Sequence, residues 1–343
     1  MSQYDEFNLI NSLKRHLEKH GDGVLVGIGD DAAVLRSPEN RLLAAMDVMI
    51  EGVHFIRGLI TPFQLGAKAL AVNISDIAAM GGKPLYALVT LGITSKMEES
   101  YLSEIYRGMN KMAAAFGVDI VGGDTTVSPA ALLIDVCLLG EVNNPLLRTG
   151  AKPGELLAVT GTLGDSAAGL RYMLKYKEGL KGVFENSQPK WPKALPPAVA
   201  ASIIRHLEPK PQVEAALKLQ ELQCVGAMQD ISDGLASEVN HISSQSMVGA
   251  VIREDLIPCS NSMLETAELL GLEPLEMALN GGEDYQLLCS IAPCYFEAAK
   301  ASLKNAGISL SVIGEVLEEK GVWLEREGKR KPLTPGGYNH FKN

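Results

Sequence analysis

An excess of positive charge is missing from this chain of 343 residues. Its 31 Lys and Arg stand against 41 Asp and Glu, leaving a formal charge of −10. A surface that acidic repels a phosphate backbone and argues against a general nucleic-acid binder. Long apolar runs are missing too. The longest, 130–140, is broken by Asp135 and falls far below the ~20 residues of a membrane-spanning helix. The start, MSQYDE, is acidic and has no cationic export region, so the expectation is a cytoplasmic protein without a membrane partner. The five cysteines form no CxxC pair and read as reduced thiols rather than a disulfide or metal framework. No short repeat and no low-complexity tract is visible.

Standard catalytic signatures are also absent. Gly82-Lys83 runs into Pro84 and Gly328-Lys329 into Arg330, so no P-loop forms. Of the six histidines, His16, His20, His206 and His241 lie in helical patterns and read as surface or packing residues. No Ser/His/Asp or Cys/His arrangement points to a covalent nucleophile. Gly27-Ile28-Gly29-Asp30-Asp31-Ala32 fits a dinucleotide fingerprint, and Asp47 follows Gly29 by 18 residues. Yet no helix follows: Val34 to Pro38 heads into a turn. Asp30 and Asp31 would also set bare carboxylates where a pyrophosphate must land.

Charged residues at 21% and AVILMFWYC residues at 46% describe an ordinary globular enzyme. The length suggests two domains at about 150 residues each. The turn-rich run RTGAKPG, 148–154, is the natural boundary, giving domains 1–149 and 150–343. In the first, the spacing of Ile10, Leu13 and Leu17 predicts a helix over 7–20. Strands are predicted at 24–29, 42–48, 85–94, 118–121 and 131–139, with helices at 64–80 and 102–116. The apolar strands 85–94 and 131–139 read as edges that invite pairing with a second copy. In the second domain, strands are predicted at 156–160, 225–231, 249–253, 285–291 and 309–315. Helices are predicted at 164–178, around 195–222 and at 234–245. Residues 174–197 lack periodicity and read as a surface excursion. The fold class is mixed α/β in both halves.

What the chain has in plenty is glycine, 34 residues against a usual ~7%, often beside aspartate. The clusters are GIGDDAAV (27–34), MDVMIEGVHF (46–55), NISDIAAMGG (73–82), VGGDTT (121–126), TGTLGDSAAG (160–169), QDISDG (229–234) and NGGEDY (280–285). Most fall at the ends of predicted strands. Glycine there lets the backbone approach a ligand. Carboxylates there are costly to desolvate without a cation. The simplest cation is Mg²⁺, and the clusters together point to a shared metal–phosphate site.

The order GIGDDAAV, MD-x₆-HF, KALAVNISDIAAMGGKP, GGDTT, TGTLGDSAAG, DISDG, GGEDYQL and a terminal GYNHF resembles the bacterial thiamine-monophosphate kinases, along nearly the whole chain. These belong to the wider group of aminoimidazole-ribonucleotide synthetase-like ATP enzymes. The resemblance implies a two-domain fold of that type, whose N-terminal domain helps form an intersubunit β-barrel in a homodimer. It implies direct in-line transfer of the ATP γ-phosphoryl to thiamine phosphate with several Mg²⁺ ions. In that picture residues 1–149 bind ATP and metal and dimerise, and 150–343 complete the site. Asp30, Asp47, Asp76, Asp124, Asp230 and Asp233 are the implied metal ligands. Tyr106, Gly123, Asp124, Arg148 and Ser232 are implied to contact ATP. His54, Glu283 and Tyr338 are implied to contact thiamine phosphate. Asp76, Asp124 and Arg148 are implied to carry catalysis.

One departure stands out. Family members commonly carry a hydroxyl just before the acid of MD-x₆-H, and Ala45 and Met46 have none. The ligand left at that place is a backbone carbonyl, assigned to Met46. Two alternatives stay open on sequence. One is another ATP enzyme of the same group, such as aminoimidazole-ribonucleotide synthetase or selenophosphate synthetase, although the latter wants a reactive residue near the start and the first cysteine is Cys137. The other is a nucleotide-binding regulator that kept the acids and lost turnover.

Overall fold

The computed structural model describes residues 12–13, 15–16, 21–28, 32–95, 97–185 and 188–337. Most of the predicted helix over 7–20, and Asp30 and Tyr338 among the predicted site residues, lie outside them. Contacts divide the chain into two units. One holds 1–77, 83–143 and 176–193; the other holds 78–82, 144–175 and 194–343. Among the described residues no helix is long and apolar enough to cross a membrane.

The first unit opens with short strands β1 (Val24–Val26) and β2 (Val34–Leu35), paired antiparallel. Its main sheet contains β3 (Arg41–Ile50), β4 (Lys83–Ile93), β5 (Asp119–Val127) and β6 (Leu133–Val142) in the order β3-β6-β4-β5. Only the β4–β5 pairing in it is parallel. Helix α1 (Pro62–Ala79), up to Ile77, and α2 (Glu99–Phe116) belong to the same unit. Of the apolar stripe Leu102, Ile105, Met109, Met112 and Phe116, the second helix buries the first three and half-buries the last two, and it stops at Gly117 in the left-handed region. Each large side chain so buried contributes about 1.5–3 kcal/mol. The two helices touch backbone to backbone. A Cβ at Gly66 would overlap the Ile105 carbonyl, and one at Gly108 the Phe63 carbonyl.

The sheet buries one face and opens the other. Along β6, Ile134, Val136 and Leu138 are buried, while Leu133, Asp135, Cys137 and Leu139 are half-buried. The register sets two rows across the open face: Val48, Asp135, Thr90, Asp124 and Met46, Cys137, Leu88, Gly122. The expectation that 85–94 and 131–139 are edges is overturned. Those strands, β4 and β6, are central, and the edges are β3 and β5. β4 and β6 each pair with a strand on both sides, so neither leaves a free backbone edge. The 174–197 excursion also has an interior: Leu180, Val183 and Phe184 are buried, and Phe184 meets Trp191 edge-to-face at 5.6 Å.

The second unit is built on a sheet of β7 (Leu156–Thr160), β8 (Val225–Asp230), β9 (Gly249–Arg253), β10 (Leu287–Ile291), β11 (Leu310–Leu317), β12 (Gly321–Arg326) and β13 (Lys329–Pro332). The order is β13-β12-β9-β11-β7-β10-β8, antiparallel except for β9–β12. Around it lie α3 (Asp165–Lys175), α4 (Pro197–Leu207), α5 (Val213–Leu222), α6 (Leu235–Ser246), α7 (Asn261–Leu270), α8 (Pro274–Asn280) and α9 (Pro293–Asn305). Its core contains Leu157, Val159, Ile231, Leu235, Val239, Ile252, Leu288 and Ile313. The sequence reading missed α7, α8, α9 and the β12–β13 hairpin. For α7 the signal was there: Ser260 caps the helix by accepting the Met263 N–H at 2.9 Å, and Gly271 ends it left-handed.

Candidate active site

In the first unit, Asp47 sits on edge strand β3. Its backbone N–H donates to the Asn73 side-chain oxygen at 3.0 Å, and the Asn73 amide donates to the Ala69 carbonyl at 3.1 Å. Asn73 therefore fastens α1 to β3 beside Asp47. Asp76 follows by three residues, on the same side of α1. Asp124 stands in the open-face row with Thr90 and Asp135, and its carboxylate accepts its neighbour's N–H, from Thr125, at 2.8 Å. Gly123 beside it cannot be replaced without strain, because a Cβ would overlap the Val89 carbonyl.

A cavity of about 550 Å³ opens between the open sheet face and Gly27, Ile28, Ala32, Ala33 and Leu35, lined also by Met46, Leu88, Thr90, Gly123, Asp135 and Cys137. Met46 is 63% exposed. Asp135 was not singled out by sequence. One of its carboxylate oxygens is buried without a hydrogen bond, and desolvation and the nearby Asp47 charge raise its pKa.

His54 lies in the turn after β3, and its Nδ1 accepts the Ile50 N–H at 3.0 Å. That fixes the neutral ring with its proton on Nε2. Tyr106 is buried in α2, and desolvation pushes its hydroxyl up to about 12.

In the second unit, Asp230 ends β8 and is buried. The turn after it, Ile231 to Gly234, is joined to the GGEDY segment by backbone bonds. Glu283 N–H donates to the Ser232 carbonyl at 2.7 Å, Tyr285 N–H to Ile231 at 2.9 Å, and Ile231 N–H to Gln286 at 2.8 Å. A Cβ at Gly282 would overlap the Ser232 carbonyl, so the second glycine of the motif is what allows this approach. Ser232, Asp233 and Glu283 are thus brought together. Gly337, which precedes Tyr338, packs on the Asp233 carbonyl. Arg148 is exposed on the loop before β7, where its carbonyl accepts the Ser246 hydroxyl at 3.3 Å.

Three supporting residues escaped the sequence reading. Glu238, buried in α6, accepts the Asp233 N–H at 3.1 Å and lies 3.1 Å from His241 Nδ1. Desolvation raises its pKa, with Asp230 adding to the rise. Asp284 accepts N–H groups from Gly164 at 2.7 Å and Ser166 at 3.3 Å, at the start of α3, and desolvation pushes it up to about 7. His206, read as surface or packing, is buried and polar in its contacts: Ser166 Oγ at 3.0 Å and Glu283 Oε2 at 3.1 Å. The Asp of GGEDY was the signal for Asp284. Nothing in the local sequence distinguished His206.

Among the described residues no group of three His, Cys, Asp or Glu side chains is assembled to hold a metal ion. The donors come instead as carboxylate neighbours, Asp47 with Asp135 and Asp230 with Glu238, the first of each pair adding to the raised pKa of the second. Hard oxygen donors that repel each other, one with an orphaned buried oxygen, fit a hard divalent cation.

Known proteins match along the chain. The family described as AIR synthase related protein, N-terminal domain, matches 29–142, and its C-terminal domain matches 152–325. The thiamine-monophosphate kinase of Bacillus subtilis (strain 168) is 36% identical over 345 residues, covering 98% of this chain and 100% of that one. The structure of thiamine-monophosphate kinase from Stenotrophomonas maltophilia K279a superposes with a TM-score of 0.81 at 32% identity, covering 96% of this chain and 99% of that one. AaThiL complexed with AMPPCP and TMP gives 0.76 at 34% identity, covering 98% and 97%. With full-length relatives at this identity and both domains matched, the chain belongs to the thiamine-monophosphate kinase family of AIR synthase related proteins.

Proposed function

We propose that this chain is an ATP-dependent phosphotransferase that converts thiamine phosphate to thiamine diphosphate. The observation that carries this reading is the match to thiamine-monophosphate kinases over nearly the whole length of both partners. ATP is the co-substrate, in line with the AMPPCP held by one relative.

Asp30, Asp47, Asp76, Asp124, Asp230 and Asp233, with the Met46 carbonyl, are the proposed Mg²⁺ ligands. When bound, the ions neutralise charge between two anionic phosphates, the dominant requirement in phosphoryl transfer. Tyr106, Gly123, Arg148 and Ser232 are assigned to ATP, and His54, Glu283 and Tyr338 to thiamine phosphate. Residues 1–149 serve ATP, metal and dimerisation, and 150–343 supply the remaining site residues. Gly123 suits an approach of phosphate to backbone, and the exposed Arg148 guanidinium suits a phosphate oxygen. The acceptor is a phosphate monoester with a second pKa near ~6, so it is largely ionised at pH 7 and needs no general base. His54, with Nδ1 occupied by the Ile50 N–H, is suited to binding by Nε2–H rather than to taking a proton.

Assembly is read as a homodimer. The open sheet face carries Leu42 at 57% exposure, Met46 at 63% and Leu88 at 38%, a grouping of exposed apolar side chains of the kind that marks an interaction surface. A second copy covering that face would close a barrel. The test of function is direct. Purified protein with ATP and Mg²⁺ should release ADP with thiamine phosphate and form thiamine diphosphate, leaving unphosphorylated thiamine untouched. Turnover of free thiamine with none of the monophosphate would refute the assignment.

A further inference from the structure

Four residues of the second unit close a ring. Ser166, at the start of α3, and Glu283 share the Nδ1 of His206, in the last turn of α4, at 3.0 and 3.1 Å. Asp284, the neighbour of Glu283, returns to the Ser166 N–H at 3.3 Å. His206 is buried, its side chain 6% exposed, whereas Glu283 is 27% exposed and so reaches the surface. Glu283 also holds φ 64, a left-handed conformation that a glutamate adopts at a cost of about 1–3 kcal/mol. Such strain persists where surrounding contacts over-determine it. Here they are the Ser232 carbonyl on the Glu283 N–H and the imidazole on its carboxylate.

We propose that His206 is a positioning residue for thiamine phosphate, acting through Glu283. This rests on the assignment of Glu283 to that substrate. An ionised carboxylate only accepts, so Nδ1 carries the proton and donates to Oε2. The C-terminal end of α4 favours the positive end of that N–H. Ser166 Oγ fixes the ring's rotation, so the carboxylate meets its ligand in one orientation instead of sampling rotamers in solvent. Ordering one flexible side chain in advance is a gain that appears in ligand affinity rather than in chemistry.

The experiment compares His206→Leu, which removes the donor, with His206→Asn, whose amide nitrogen replaces Nδ1. Each is made in the wild-type and Glu283→Ala backgrounds. The Leu variant should raise the thiamine phosphate KM by about tenfold, the scale of one charge-assisted hydrogen bond. The ATP KM and kcat should stay within about threefold, and the Asn variant should recover most of the loss. In the Glu283→Ala background, His206→Leu should add nothing further. An unchanged thiamine phosphate KM in His206→Leu, an equal rise in both KM values, or a full additive effect in the Glu283→Ala background would overturn the inference. If Glu283→Ala itself leaves the thiamine phosphate KM unchanged, the assignment of Glu283 fails, and the positioning role falls with it. Should His206→Leu not fold, ¹⁵N-histidine NMR of the wild type decides. A protected Nδ1 proton that shifts when thiamine phosphate saturates the protein, and loses its protection in Glu283→Ala, supports the role; a resonance indifferent to the substrate overturns it.

Discussion

The side chain of Asn73 bonds the backbone of Asp47 at 3.0 Å and the carbonyl of Ala69 at 3.1 Å, so one buried amide clamps helix α1 to strand β3. Both partners of that clamp are backbone groups with their own hydrogen-bonding needs. Asn73→Ala leaves the Asp47 N–H without its acceptor and opens a polar hole in a buried position. The expected loss is about 1–3 kcal/mol of stability, read as a lower urea midpoint at unchanged m-value. Activity should fall further than stability predicts, because the displaced strand carries a proposed metal ligand. A midpoint equal to wild type would mean that the clamp contributes nothing.

Asp284 makes stability depend on pH. Its carboxyl is held up at about 7 in the folded chain against an ordinary 3.8, chiefly by desolvation. The fold therefore binds this proton more tightly than the unfolded chain does. Below pH 4 both states are protonated and nothing is lost. Between about pH 4 and 7 the unfolded chain ionises first, and stability falls by up to about 4 kcal/mol. Asp284→Asn has no proton to lose. The difference in Tm between variant and wild type should move in favour of the variant as pH rises from 5 to 8, whatever its sign at pH 5. A difference that stays flat over that range would contradict the buried, proton-holding carboxyl.

The parts of this molecule visible in the sequence are those whose cause is local. The apolar stripe of α2 and its terminal Gly117 predict that helix, and Leu156–Thr160 and Gly249–Arg253 match predicted strands residue for residue. The acidic-glycine clusters mark where backbone must approach backbone, as Gly282 does with Ser232. What stayed hidden depends on partners far away in the chain. The ring nitrogen of His206 is 40 residues from Ser166, and Asp284 reaches Gly164 across 120. The helical pattern around His206 gives its face but not the carboxylate opposite. Strand order was hidden for the same reason. The apolar character of β4 and β6 comes from the face they pack into the core, and it does not tell whether a strand's edges are paired by neighbours that arrive from elsewhere in the chain.

The open face of the first unit's sheet leads to a prediction about assembly. Leu88 stands in its middle, beside Cys137 and Gly122 in the cross-strand row, and is 38% exposed. Light scattering should report a homodimer at micromolar concentration. Leu88→Glu puts a charge where the second copy would pack, and should shift the population to monomer without lowering the helical signal in circular dichroism. A wild-type monomer with full activity would exclude the dimer.

Asp76 is the most demanding test of the proposed metal-assisted transfer. It lies in α1 among Ser75, Ile77 and Ala78, all buried, and is itself half-buried, one turn beyond the Asn73 clamp. A carboxylate in such a place has two readings. It is a polar residue tolerated at the margin of the core, or it is held there to meet a cation between ATP and the acceptor phosphate. The readings differ in what loss of charge does. Asp76→Asn keeps the size and most of the hydrogen bonding, so the thermal melt should be preserved in either case. A group that serves the crowded charge of the transition state should lower kcat more than it raises the ATP KM. The expected loss is about a hundredfold or more, on the order of ~3 kcal/mol, as for removal of an electrostatic stabiliser in other enzymes. Added Mg²⁺ should restore only part of it, because occupancy recovers while the charge does not. Steady-state kinetics beside the melt decide the matter. An intact melt with activity within about threefold of wild type, under ~1 kcal/mol, would remove Asp76 from the ligand set and with it the central member of the proposed multi-metal site.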